Sequence, residues 1–444
     1  MNNLRLMVFA FFAAAAAAAA VEPGGEGPAQ AQPASQVRVP PELRQRIRID
    51  DAALRRHVIR PQHILGIESD VPAVEPDAPP RAAAAGRRAE SRSRIPGLRP
   101  VTGPRMDAAS FARALHAKLR PSVAGYVMRL QRYGTPVATM QWEWARRPAD
   151  GSIGWTPDRR MHIASVSKLI TAIGMAKALD ERNLSYDAKI IDYLPKYWKK
   201  GPNVESITFR HLLRHRSGFS TGGSGSDFAL MKSKVADGVT DIGKGDYENM
   251  NFGLCRILIP FVLYGDFLNA FSFSDEVWDY ITITAYTEFM QTRVFTPSGV
   301  TGATLSHPPN GALAYTFPAS GSGWNSGDLS TMSGGAGWHM SANELLRVLA
   351  TFRHKGTILA KDEAQALFDA KLGLDQIHET PAGPIYNKNG RWTTGSKTEQ
   401  SVAFILPDGM ELVVFVNSRI AGGPGGKDQS LRDLVRETYL AHLK

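Results

Sequence analysis

Ser165 and Lys168, in the stretch MHIASVSKL from 161 to 169, form the only S-x-x-K of this chain. Three residues apart on a helix, the two side chains share one face, so an amine can hold or take the proton of a nucleophilic hydroxyl. The residues that follow, LITAIGMAKALDERNL, are apolar on more than one side through Leu169, Ile170, Ile173, Met175 and Leu179. That pattern predicts a buried helix whose first turn opens on a cleft. A serine at such a start meets aligned backbone N–H groups, which favour the negative charge that develops during acyl transfer. A four-residue pattern alone also fits a solvated helix start, so the rest of the chain has to decide between the two readings.

The elements needed to position the pair are written around it. Asp107 can cap a helix through Phe111, Leu115 and Leu119 that stops at Pro121. VAGYVMRLQ and PVATMQWEWA read as two strands around a turn at Tyr133, Gly134 and Thr135. Near the other end, SVAFIL and MELVVFVNS read as strands joined at Pro407, Asp408 and Gly409, with a closing helix from Gln429 to Leu443. The fold class expected is α+β: an antiparallel sheet flanked by N- and C-terminal helices, with a helical region across the cleft.

Through Ile163–Lys168, LSYDAKIIDYLP and ITFRHLLRHRSGFS, the chain resembles the serine beta-lactamase and penicillin-binding-protein superfamily, especially its class C beta-lactamase-like branch. The resemblance runs in ordered blocks from about Met106 to Lys444. Its second motif, Y-x-N, has one match, Tyr247-Glu248-Asn249. A tyrosine beside an ammonium is driven toward phenolate and can act as general base. Asn249 would hold the lysine and a substrate amide. The third motif, lysine or histidine, one residue, then glycine, is matched by Lys388-Asn389-Gly390, preferred over Lys371-Leu372-Gly373 because sheet pattern follows it. The resemblance implies that Lys388 binds a substrate carboxylate and raises the potential around Tyr247, and that Gly390 lets substrate lie close to the strand. It further implies an oxyanion hole of the Ser165 and Arg391 backbone N–H groups. At Arg391 the chain departs from the family pattern of a small residue, and RWTTGSKTEQ is bulkier and more polar.

Competing chemistries fit less well. His211 and His215 stand at i, i+4, but HLLRH lacks the glutamate of a zinc-hydrolase helix, so no metal is expected. No G-x-S-x-G occurs, against an alpha/beta-hydrolase. The glycine- and serine-rich run 320–337 lacks a P-loop ending; it reads as a cleft-rim loop before a helix capped by Ser341, with Trp338 and His339 as rim or packing residues. Cys255, the single cysteine, sits in GLCRILIPFV as an inert packed thiol. LYGDFLNAFSFSDEVWDYI, near 262–281, is an aromatic insertion relative to the family.

The front of the chain is different in kind. Residues 1–20 carry Arg5, an apolar stretch Leu6–Phe12 and a run of alanines, the make-up of a secretory signal peptide rather than a membrane anchor. Residues 21–105 are rich in Pro, Ala and Arg, which predicts a disordered tail ahead of the 106–444 domain. Much of the net charge of +10 comes from arginines there; a solvated tail and weak contact with anionic envelope components both fit. No zinc spacing or aromatic-interleaved basic set points to nucleic acid. Nothing in the pattern specifies an oligomeric state. The expected protein is an exported serine hydrolase, periplasmic or extracellular. It would work through an acyl-enzyme on beta-lactam, D-alanyl peptide or small ester or amide substrates, with no cofactor. The alternative, a catalytically idle binding or scaffold protein of the envelope, has no need for all of Ser165, Lys168, Tyr247, Asn249 and Lys388.

Overall fold

The computed structural model describes residues 103–221 and 226–444; the signal peptide and nearly all of the tail expected from the sequence lie outside the described residues. Helix α1 (Ala108–Leu119) starts where the Asp107 carboxylate accepts from the Ser110 N–H, and it buries Phe111, Leu115 and Leu119. Strands β1 (Gly125–Arg132) and β2 (Thr135–Arg146) form the antiparallel hairpin, with β3 (Ile153–Gly154) along its outer edge. A short pair follows, β4 (Met161–His162) with β5 (His339–Met340), and between its two halves the chain builds the helical region.

That region comprises α2 (Ser167–Glu181), α3 (Phe209–Leu213), α4 (Phe228–Asp237), α5 (Asn249–Leu268) and α6 (Asp275–Met290). Helix α2 is buried almost throughout, as its unpatterned apolarity predicts. Helix α5 is apolar and long enough to cross a bilayer, yet 72% of its apolar stretch is buried inside the protein, the mark of a core helix. The insertion expected near 262–281 is the end of α5, a link and the start of α6; within the link the Phe271 and Phe273 rings stack 5.7 Å apart.

Helices α7 (Ala342–Ala350) and α8 (Lys361–Asp369) lead into β6 (Gln376–His378), β7 (Ile385–Thr394), β8 (Lys397–Leu406) and β9 (Met410–Val416), and α9 (Leu431–Leu440) closes the chain. Ser341 caps α7 in a reciprocal box with Glu344. The seven strands lie in the order β3-β2-β1-β9-β8-β7-β6, every pair antiparallel. On one face α1 and α9 cover Met128, Leu130, Val402, Phe404, Leu412 and Val414. Strand alternation turns Ser401 and Ala403 to the opposite face, toward the helical region and the site.

Beside the sheet, the fully buried Glu411 accepts from Arg353 at 2.9 Å, His354 at 2.7 Å and Gln131 at 3.1 Å. Removing that carboxylate takes away the counter-charge of Arg353, which keeps only the Met410 and Leu406 carbonyls, and the acceptor of His354 and Gln131. Glu411→Ala is therefore expected to lower the unfolding free energy by about 3 kcal/mol, read from urea midpoints.

Candidate active site

Ser165 lies in the 3-10 turn Ala164–Val166, directly ahead of α2. The turn is held from three sides. Ile163 N–H donates to Trp338 O at 2.9 Å, the Ser401 hydroxyl donates to Ile163 O at 2.6 Å, and β7 presses against it at Gly390. Ala164 adopts φ +45°, a left-handed conformation that a non-glycine residue keeps only when its surroundings enforce it.

Lys168, one turn on and fully buried, directs its Nζ at three oxygens: Ser165 Oγ at 3.1 Å, Asn249 Oδ1 at 2.7 Å and Gly335 O at 2.6 Å. As an ammonium it satisfies all three. As a neutral amine it can still donate to the two carbonyl oxygens, and its lone pair then has one proton to face, that of Ser165. Burial pushes this amine down to about 8, so both forms are reachable near neutrality.

Tyr247 reaches the same oxygen from the other side, its hydroxyl 2.8 Å from Ser165 Oγ. Burial opposes ionisation of the phenol, but the charges of Lys388 and Lys168 and the contact with Ser165 outweigh it and lower its pKa. The two ammonium groups stand 5.0 and 5.1 Å from the ring centre. Asn249 opens α5 and so carries the Y-x-N turn on a rigid core helix.

Two expectations need correction. Lys388, expected to hold a substrate carboxylate, is 1% exposed and bound to Asp375 at 2.5 Å; Asp375 also accepts from Asn389 N–H at 2.9 Å. An internal carboxylate thus occupies the ammonium, and what remains of the expected role is its charge beside Tyr247. Gly390 is also used internally. A Cβ there would stand 2.5 Å from Ile163 O, 2.6 Å from Ser401 Oγ and 2.8 Å from Ser165 N, so the glycine admits the nucleophile turn against the strand.

The Arg391 side chain is held at the cleft wall by Asp428 at 2.8 Å. Its backbone N–H belongs to the same alternating set as that of Asn389, which points away from β8. With β6 pairing only as far as Asn387, that side of β7 is open where it passes Ser165. The Ser165 and Arg391 N–H groups thus border one opening, the arrangement an oxyanion requires.

The structure also brings in residues that the motifs did not mark. His215, at φ +53° after α3, lies with its ring 4.3 Å from that of Tyr247, and its Nδ1 accepts from Glu248 N–H at 3.2 Å. Burial, then the Lys388 and Lys168 charges, hold this imidazole neutral. Its i, i+4 partner His211 instead caps α3 with Thr208, so the two do not form a ligand pair. Beneath the turn, His162 donates through Nδ1 to Glu399 at 3.1 Å while its Nε2 accepts from Gly337 N–H at 3.2 Å, both side chains fully buried. Burial lowers the histidine pKa to about 3 and raises that of the glutamate.

Trp338 and His339, placed at the rim as one reading of the sequence, are core. The indole N–H donates to Tyr286 at 3.2 Å, its ring meets Phe295 at 4.7 Å, and both residues are at most 1% exposed. The loop they end contributes to the site through Gly335 O, a backbone acceptor with no side-chain signature. Cys255 is buried in α5, and burial pushes its thiol pKa up.

A seven-stranded antiparallel sheet backed by terminal helices, with Ser, Lys and Tyr converging at a helix start, defines the beta-lactamase and transpeptidase fold. Residues 108–260 match the family model described as Beta-lactamase. A class C beta-lactamase from Rhodobacter sphaeroides superposes with a TM-score of 0.55 at 19% identity, covering 76% of this chain and 99% of that one. That likeness speaks for the fold. In sequence, the chain is 28% identical over 128 residues to the esterase/beta-lactamase LipL of Mycobacterium tuberculosis, 27% of this chain and 29% of that protein. It is 41% identical over 73 residues to a fimbrial assembly protein, FimD serogroup D, of Dichelobacter nodosus, 16% of this chain and 18% of that protein. The chain spans less than a third of the length of these curated relatives. Over residues 108–260 the chain is similar to the beta-lactamase family, and its fold is the one shared by the class C beta-lactamases and penicillin-binding-protein homologues.

Proposed function

We propose that this protein is an exported serine hydrolase that works through an acyl-enzyme on ester, amide, D-alanyl peptide or beta-lactam substrates. The observation that carries the reading is the double hydrogen bonding of one oxygen: Ser165 Oγ lies 3.1 Å from the Lys168 amine and 2.8 Å from the Tyr247 hydroxyl. Export is supported by the apolar stretch Leu6–Phe12 and the alanines that follow it.

In the working state the Lys168–Tyr247 pair holds one proton fewer than its maximum, as ammonium with phenolate or as amine with phenol. Ser165 Oγ attacks the substrate carbonyl carbon and passes its proton to that pair, while the Ser165 and Arg391 N–H groups take the oxyanion. The pair returns the proton to the leaving group as the carbonyl re-forms. Water then attacks the acyl-serine by the same exchange and frees Ser165. Intact-mass measurement after a fluorophosphonate tests the reading; an unlabelled wild-type protein contradicts it.

The pH profile has a defined sign. Below the pKa of the pair it is doubly protonated and no base faces Ser165, so kcat/KM on p-nitrophenyl butyrate rises with pH, through a limb near 8 set by Lys168. The Lys388 charge lowers the pKa of both members, and Asp375 raises that of Lys168. Lys388→Gln should shift the limb to higher pH and Asp375→Asn to lower pH. Coincident limbs in the two variants would rule out this electrostatic role.

A further inference from the structure

The cleft in front of Ser165, about 580 Å³, carries more positive charge than the reaction needs. Arg214, Arg216, Lys371, Arg391 and Arg432 line it against two carboxylates, Asp246 and Asp375. Asp375 is taken by Lys388, Arg391 by Asp428 and Arg432 by Asp433. Among the described residues no carboxylate pairs with Arg214, Arg216 or Lys371.

The backbone holds these three together. Arg214 and Arg216 flank the left-handed His215, the residue whose ring lies on Tyr247. Lys371 occupies a second left-handed turn, and Gly373 just after it donates to Leu213 O at 2.9 Å, tying the two turns side by side. Burial lowers the Arg214 pKa, and the Arg216 and Arg210 charges lower it further, a like-charge crowding that an anion would relieve. The neutral state of His215 leaves the guanidinium groups and the amine as the charges an incoming ligand meets on this wall.

We propose that Arg214, Arg216 and Lys371 form an anion subsite that selects substrates bearing a carboxylate beyond the scissile bond. The subsite does the work that Lys388 cannot do while it is bound to Asp375. Guanidinium groups suit a carboxylate because their paired N–H donors match its two oxygens. The inference rests on the hydrolase reading for its consequence, selectivity, but the subsite itself requires only binding.

Two p-nitrophenyl esters, the butyrate and the glutarate monoester, differ at the acyl end by a carboxylate. The wild-type kcat/KM ratio should favour the glutarate ester by about tenfold at low salt, and the preference should shrink as ionic strength rises. In Arg214→Gln/Lys371→Gln the ratio should fall toward one; in the charge-preserving Arg214→Lys/Lys371→Arg it should persist. A wild-type ratio at or below one, or a preference that survives the glutamine pair, overturns the subsite. Calorimetric titration of glutarate into Ser165→Ala, with and without the glutamine pair, separates this from the parent reading. Glutarate binding that the pair abolishes supports the subsite even if neither ester is turned over, an outcome that would count against the hydrolase reading alone. Turnover without preference and without glutarate binding removes the subsite and leaves the hydrolase.

Discussion

Ser165→Ala is expected to lower kcat on any accepted ester by at least about 10,000-fold, because no other group in the cleft can form the acyl intermediate. The other hydroxyl lining the opening, Tyr247, has its oxygen directed at Ser165, and Cys255 is buried in α5 with a raised pKa. The Ser165 and Arg391 backbone donors survive the substitution, so residual turnover by directly attacking water sets the floor. The fold should be nearly indifferent. Lys168 keeps Asn249 and Gly335 as acceptors, and a thermal melt should differ from wild type by no more than about 1 kcal/mol equivalent. The same variant should lose its fluorophosphonate adduct. An adduct of undiminished yield in Ser165→Ala would place the nucleophile elsewhere.

Gly390→Ala should produce the second largest effect, without touching a reacting group. The added carbon meets Ile163 O and Ser165 N at 2.5 and 2.8 Å, both backbone atoms of the nucleophile turn, and Ser401 Oγ at 2.6 Å. The two backbone atoms cannot rotate away as a flexible side chain would. The turn has to move by an appreciable fraction of an ångström, and misplacement on that scale costs on the order of 100-fold in rate. Overpacking should also lower stability by about 1–3 kcal/mol. Gly154→Ala on β3, where the nearest atom to a new Cβ is 4.0 Å away, is the control for a strand glycine in general. A Gly390→Ala protein with wild-type kcat/KM would show that β7 does not fix the position of Ser165. The pH-limb pattern of Gly390→Ala should remain that of wild type, since no charge changes.

The parts of this fold that local patterning reveals are those whose burial follows the chain. Phe111, Leu115 and Leu119 mark the one core-facing side of α1, and the near-continuous apolar runs of β8 and β9 mark central strands buried on both faces. Trp338 and His339 show where such reasoning stops. Their glycine-rich approach looks like surface, yet small residues are also what lets a backbone enter a packed interior, and depth is not a local property. His215 gives the same lesson in reverse: helical spacing with His211 suggests one shared face, but α3 ends between them and φ +53° turns the second ring onto Tyr247.

By itself, the sequence pointed to the groups that gather at the cleft. The short spacing across the 3-10 turn into α2 sets the Ser165–Lys168 contact, and the type and order of Tyr247-Glu248-Asn249 and Lys388-Asn389-Gly390 point to the groups around it. Tertiary structure decided what those groups are bonded to. The partner of Lys388 is Asp375, the third acceptor of Lys168 is a carbonyl at Gly335, and the neighbour that Gly390 admits is Ser165 itself. The physical reason is one of range. Spacing within a helix is set by bonds and dihedrals, whereas a lysine finds its counter-charge only when the packing of distant strands and helices brings an oxygen within hydrogen-bond reach.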